Sequence, residues 1–194
     1  MSDLLALDVA FLLPPDVAAR AVALSAALPP AKDDELRLGP NHLPHVTLTQ
    51  QFVRVDELDA ALARVDDVLR EQPPLLLRVT GGGKGSHAVW MAIESTPDVI
   101  GLHERLMEAL RGYERPAGTA AAFVDGDARV RDVLWVTGFR LKSSFAAFAP
   151  HVTLGHAEEP THVEPFDFTA TTVAACHLGR FCTCRRMLRS WPLI

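Results

Sequence analysis

The sequence predicts an α+β domain with mixed or antiparallel sheets. Three observations carry this. Helical and strand-like apolar patterns succeed one another in the order β-α-β-α-β-β-α-loop-β-β-β. Several strand pairs have no helix between them, which a purely parallel sheet does not allow. The chain has 194 residues, 48% hydrophobic and 22% charged, enough for a sizeable core and unlike a disordered segment.

The first strand is the apolar run Leu4–Leu13, stopped by Pro14-Pro15. Asp16 reads as an N-cap, and Val17, Ala21, Leu24 and Leu28 follow at helical spacing until Pro29-Pro30. Ala31 to Pro44 reads as a polar connection and His45–Val53 as a strand. Asp56–Arg70 carries Leu58, Leu62, Val65 and Leu69 on one helical stripe. Leu75–Thr80 and Ser86–Glu94 read as strands joined by a flexible hairpin turn, Gly81-Gly82-Gly83-Lys84-Gly85, which lacks the Gly-x4-Gly-Lys-Ser/Thr pattern of a phosphate-cradling loop. Thr96-Pro97 is an N-cap and N1 pair opening a helix with Val99, Leu102, Leu106 and Leu110 inward. From Gly112 to Ala149 the periodicity fades, with a strand expected only at Val133–Leu141; so irregular a stretch is often a functional loop. His151–Ala157 is the next strand, and Phe166–Leu178 and Cys182–Leu193 read as a closing pair.

The formal charge of −5 argues against a broad basic surface for long nucleic acid, though a short or terminal nucleotide needs only a few local donors. Three cysteines cannot all pair internally, so no disulfide scaffold is expected and a reducing, cytoplasmic setting is. No apolar run approaches the ~18–20 residues of a membrane span. Met1–Leu13 carries Asp3 and Asp8 and no basic start, unlike a signal peptide.

One repeat stands out. Pro-His-Val-Thr-Leu occurs at Pro44–Leu48 and again at Pro150–Leu154. On a strand, His45 and Thr47 project from one face and Val46 and Leu48 from the other; His151 and Thr153 repeat this against Val152 and Leu154. Each copy presents an imidazole and a hydroxyl roughly 7 Å apart over an apolar anchor. Two such strands facing one cleft suit phosphoryl transfer without a metal. One imidazole takes a proton from the attacking oxygen, the other gives one to the leaving oxygen, and the hydroxyls donate to the non-bridging oxygens.

These residues resemble the 2H phosphoesterase superfamily, named for its two His-x-Thr-x motifs, and within it the LigT-like 2′–5′ RNA ligase and cyclic nucleotide phosphodiesterase proteins. The resemblance covers nearly the whole chain. It takes in the Leu4–Leu13 strand with Pro-Pro-Asp, Ala88-Val89-Trp90, and the end at Trp191-Pro192-Leu193. It implies one bilobal, pseudo-twofold domain over residues 1–194, two mixed or antiparallel sheets flanking a central groove with helices outside. It also implies His45 and His151 as the acid/base pair and Thr47 and Thr153 as phosphate binders. The expected activity is a metal-independent 2′,3′-cyclic phosphodiesterase acting on a small nucleotide or a short RNA end, with ligation as its reverse and no cofactor. The alternative is a non-catalytic nucleotide- or RNA-binding module on the same fold.

The sequence departs from the pattern at His156, where bacterial LigT-like proteins often carry a phosphate-contacting Arg. His156 could replace it as a weaker donor, or sit at the rim or in the core, since alternation turns it away from His151 unless the strand bends at Gly155. Gly112–Ala149 is also longer than in compact LigT-like proteins. Trp90 could stack on a nucleobase or belong to the core. Lys142, Ser143 and Ser144, just before the second motif, could reach a second phosphate or a ribose, or lie in a solvated loop. Cys176, His177, Cys182 and Cys184 do not read as a zinc site: Cys182-x-Cys184 is tighter than the usual spacing, and Cys176 and His177 point to opposite faces.

Overall fold

A computed structural model describes residues 2–30 and 35–194. The strands form two four-stranded antiparallel sheets. The first has the order β2-β1-β7-β8, from β1 (Leu4–Leu12), β2 (His45–Arg54), β7 (Thr172–Leu178) and β8 (Cys184–Pro192). The second has the order β5-β4-β3-β6, from β3 (Leu75–Lys84), β4 (Ala88–Ile93), β5 (His151–His156) and β6 (Phe166–Ala170). Among the described residues four α-helices complete the fold, besides short 3-10 turns: α1 (Pro15–Ala26), α2 (Leu58–Leu69), α3 (Pro97–Leu110) and α4 (Val130–Lys142). Among the described residues no helix is long and apolar enough to cross a membrane.

Both copies of the pentapeptide lie on edge strands, β2 of one sheet and β5 of the other, and these two edges pack against each other. Their apolar backs, Val46 and Leu48 with Val152 and Leu154, belong to one hydrophobic core that spans both sheets. Each motif strand follows a neighbouring strand through helical segments: β1-α1-β2 in one half, β4-α3-α4-β5 in the other. This is the pseudo-twofold arrangement that the resemblance implies.

Five expectations are corrected. Val133–Leu141 lies inside α4, not in a strand. Asp132 accepts from the Arg129 backbone N–H (2.9 Å) at the start of this helix, and Val136 and Phe139, at helical spacing, are buried. The glycine run is mostly strand: Gly81, Gly82 and Gly83 pair with Ala92, Met91 and Trp90, and the turn comes after Lys84. Phe166–Leu178 is two strands in different sheets, because β6 pairs with β3 while β7 pairs with β1 and β8. Asp16 sits within the first turn of α1, where Pro15 takes the first helical position and Pro14 the cap. The connection before the first motif is partly apolar, with Leu36 and Leu38 buried; its residues 31–34 lie outside those described. Thr96 does cap α3, its hydroxyl accepting from the Val99 N–H at 3.4 Å.

Candidate active site

The two motif histidines are held alike. His45 Nδ1 lies 2.7 Å from the Leu43 carbonyl oxygen and His151 Nδ1 lies 2.8 Å from that of Ala149. In both cases the partner is the residue two positions earlier. A carbonyl only accepts, so Nδ1 carries the proton and Nε2 of each neutral imidazole keeps its lone pair for the cleft. His45 is buried and His151 half-buried. Burial lowers the pKa of His151, and the charge of His45 lowers it further against the opposing Ala149 hydrogen bond.

Two irregularities in strand register shape the surroundings. Between β1 and β2 the register slips, so that Thr47 pairs with Ala10 and Gln50 with Asp8. Thr47 and Gln50, three residues apart, therefore both reach Asp8. The Thr47 hydroxyl donates to Asp8 Oδ2 at 3.0 Å and Gln50 Nε2 donates to the same oxygen at 2.6 Å. Gln50 is oriented in turn by Trp135 Nε1, which donates to its Oε1 at 3.0 Å. Asp8 is fully buried and its Oδ2 lies 3.6 Å from His45 Nε2. Burial raises its pKa, opposed by His45 and the two hydrogen bonds. Asp8 and Gln50 are site residues that the sequence reading missed. A lone carboxylate in an apolar strand was the available signal.

The second slip lies between β4 and β5. Gly155, at φ +156°, pairs with Val89 and Leu154 is the extra residue, so Trp90 pairs with Thr153 and Ala88 with His156. Paired residues share a face, which returns His156 to the side of His151 and Thr153. A Cβ at Gly155 would lie 2.6 Å from the Leu36 carbonyl oxygen and 2.9 Å from Leu28 Cδ1. His156 meets Phe181 edge-on (centroids 5.2 Å apart), and Phe181 meets His42 in the same way at 5.6 Å.

Trp90 sits beside His151, with ring centroids 5.3 Å apart. Its indole lies over Gly83, where a Cβ would come within 2.2 Å of Nε1. The glycine run thus makes room for the indole that flanks His151. Lys142 lies at the exposed end of α4, and Ser143 at its C-cap. Ser144 is buried, its hydroxyl donating to the Phe139 carbonyl at 3.1 Å. The structure does not bring these three to the motif histidines as it does Trp90 and Asp8. Cys182 donates to the Asp132 carbonyl (3.3 Å) and His177 bonds that of Ala122 (2.8 Å), so neither joins Cys184 in a cluster.

The sequence also hid His103, a fully buried residue of α3. Its Nδ1 bonds the carbonyl of Leu48, the last residue of the first motif, at 2.6 Å. Its Nε2 accepts from the Phe145 N–H at 2.9 Å, and its ring stacks on Phe148 at 3.8 Å. One neutral imidazole thus ties the first motif to the segment leading into the second.

The fold and the paired His-x-Thr motifs define a class of two-histidine phosphoesterase scaffold. The chain belongs to the 2′–5′ RNA ligase superfamily, whose family model matches residues 13–176. Solved structures agree in fold. The protein TT0787 of Thermus thermophilus is 20% identical, with a TM-score of 0.66 over 97% of this chain and 98% of that one. Escherichia coli LigT complexed with 3′-AMP is 20% identical, with a TM-score of 0.65 over 98% of each chain. LigT complexed with NADP+ is likewise 20% identical, with a TM-score of 0.63 over 98% of each. No curated protein matches the chain.

Proposed function

We propose that this protein is a 2′,3′-cyclic phosphodiesterase acting on nucleotides or RNA ends, with His45 and His151 as general acid and base and Thr47 and Thr153 holding the phosphate. The observation that carries this is the duplicated imidazole geometry: two histidines on abutting edge strands, each anchored through Nδ1 to the carbonyl two residues back. Such anchoring leaves Nε2 as the proton-transfer atom and fixes the ring before substrate arrives.

In the forward reaction one imidazole accepts a proton from water as its oxygen attacks phosphorus. The bond from phosphorus to the 2′ or 3′ oxygen breaks, and the other imidazole protonates that oxygen. His151, whose burial favours the neutral ring, is assigned the base; His45, facing the Asp8 carboxyl, is assigned the acid. The Thr153 hydroxyl donates to a non-bridging oxygen as charge gathers there, and the Thr47 hydroxyl does so by turning from Asp8 Oδ2 to the substrate. With an RNA 5′-hydroxyl in place of water as the attacking group, the same steps perform a ligation: the 5′ oxygen bonds phosphorus as the bond to the 3′ oxygen breaks. The complexes of E. coli LigT with 3′-AMP and ATP support a nucleotide substrate.

The test is steady-state turnover of 2′,3′-cyclic nucleotides across pH, with products identified by NMR. The expected profile is a bell whose limbs belong to the pair of histidines. His45→Ala and His151→Ala should each lose on the order of 10²–10⁴-fold. The double variant should be little worse than either single, because groups acting as a unit are not additive. Tight nucleotide binding without turnover would favour the binding-module reading instead.

A further inference from the structure

We propose that Asp8, His45 and Cys184 form a site for a thiophilic divalent cation of the zinc type, and that occupancy inhibits the enzyme by engaging His45. The inhibitory half rests on the function proposed above; the binding does not.

The three residues come from β1, β2 and β8, and one ligand atom from each lies within 4.8 Å of the others. A tetrahedral zinc with ligands at about 2.0–2.3 Å spaces its donors roughly 3.3–3.8 Å apart. Asp8 Oδ2 lies 3.6 Å from His45 Nε2, so the carboxylate already stands within that spacing of the imidazole. The donors are one carboxylate oxygen, one imidazole nitrogen and one sulfur. This set suits zinc and excludes magnesium and calcium, which take oxygen.

Further observations point to a cation. Asp8 Oδ1 is buried and has no hydrogen-bond donor among the described residues, an orphan that a bound cation would satisfy. The outer partners that a metal site needs are present. Gln50 and Thr47 fix the carboxylate through Oδ2, and Leu43 O fixes the imidazole through Nδ1. The Leu43 N–H in turn donates to the Cys184 carbonyl at 3.0 Å, which joins two of the ligand strands. Binding would release the thiol proton of the buried Cys184 to solvent as its sulfur becomes a ligand. Three protein ligands leave a fourth position for water or a phosphate oxygen.

The consequence for activity follows from electron counting. The Nε2 lone pair of His45 can hold a proton or a metal, not both. A zinc-loaded site therefore lacks its acid.

The experiment uses the full chain, reduced and stripped of metal, with cobalt(II) as the probe. One equivalent should give a thiolate-to-cobalt charge-transfer band and the visible bands of a tetrahedral ion, both displaced by zinc. Cys184→Ser should lose the charge-transfer band, and Cys182→Ser should keep it. X-ray absorption on zinc-loaded wild type, which needs no variant to fold, should show one sulfur at about 2.3 Å with nitrogen or oxygen ligands. Zinc should inhibit cyclic-nucleotide turnover at the occupancy reported by displacement, EDTA should restore it, and Cys184→Ser should need at least about tenfold more zinc. No cobalt band, a band that survives Cys184→Ser, or a sulfur-free shell overturns the site. Stimulation by zinc overturns the inhibitory role. A cobalt band with no turnover of any cyclic phosphate by the metal-free enzyme upholds the site and sinks the phosphodiesterase reading, its inhibition included.

Discussion

Replacing His103 by Leu removes a fully buried side chain that bonds Leu48 O at 2.6 Å and the Phe145 N–H at 2.9 Å. Leucine fills much of the volume but satisfies neither group. Each stranded backbone group costs about 1–3 kcal/mol, so the variant should lose roughly 2–6 kcal/mol. In a chain of this size that lowers Tm by roughly 5–20 °C. The same geometry fixes the pH response. Nε2 accepts from an N–H, so protonating it would set two donors against each other. Burial holds the pKa of His103 below its ordinary 6.5, as it does for His42, His151 and His177. The unfolded chain therefore binds more protons than the folded one just below pH 6.5. Stability is full above that pH and falls as pH drops from it through the folded values, by about 1.4 kcal/mol per pH unit for each proton of difference. Urea denaturation of wild type and His103→Leu between pH 8 and 5 measures both effects, and the variant should show a shallower acid slope. A wild-type stability flat across that range, or a variant as stable as wild type, would refute the reasoning.

Other predictions concern the neighbourhood of the second motif. Gly83→Ala places a methyl 2.2 Å from Trp90 Nε1, so the indole must retreat by more than 1 Å to reach the ~3.5–4 Å of an ordinary contact. Denaturation should show a loss of about 1–3 kcal/mol, and the same substitution made in Trp90→Ala should be close to neutral; additivity of the two would show that they do not touch. Gly155→Ala meets the Leu36 carbonyl and a backbone that favours glycine, so it should cost at least about 1 kcal/mol and broaden the NMR signals of His156. Thr47→Ala and Thr153→Ala should each slow cyclic-nucleotide turnover less than either histidine variant does, since proton transfer continues; kinetics on the four variants decide it.

The sequence by itself determined the elements with clean periodicity and the motif with matched parity. Val99, Leu102, Leu106 and Leu110 announced α3, and Pro-His-Val-Thr-Leu, met twice, marked both edge strands and the family. These signals are local, because side-chain alternation and the 3.6-residue period are properties of a short stretch of backbone. What the tertiary structure decided is what depends on a partner far away in sequence. Asp8 became a neighbour of His45 only through the β1–β2 register, and Cys184, on the far edge strand β8, joined them only through its bridge to Leu43, just ahead of β2. The glycine run is strand because Trp90 lies across it, and Val133–Leu141 is helix because Asp132 caps it and Val136 and Phe139 find a buried face there. His103 read as one more residue of an amphipathic helix; its two bonds exist because folding sets Leu48 and Phe145 on either side of its ring. A bulge shifts alternation by one residue, so His156 faces the cleft for a reason that no period-2 reading contains.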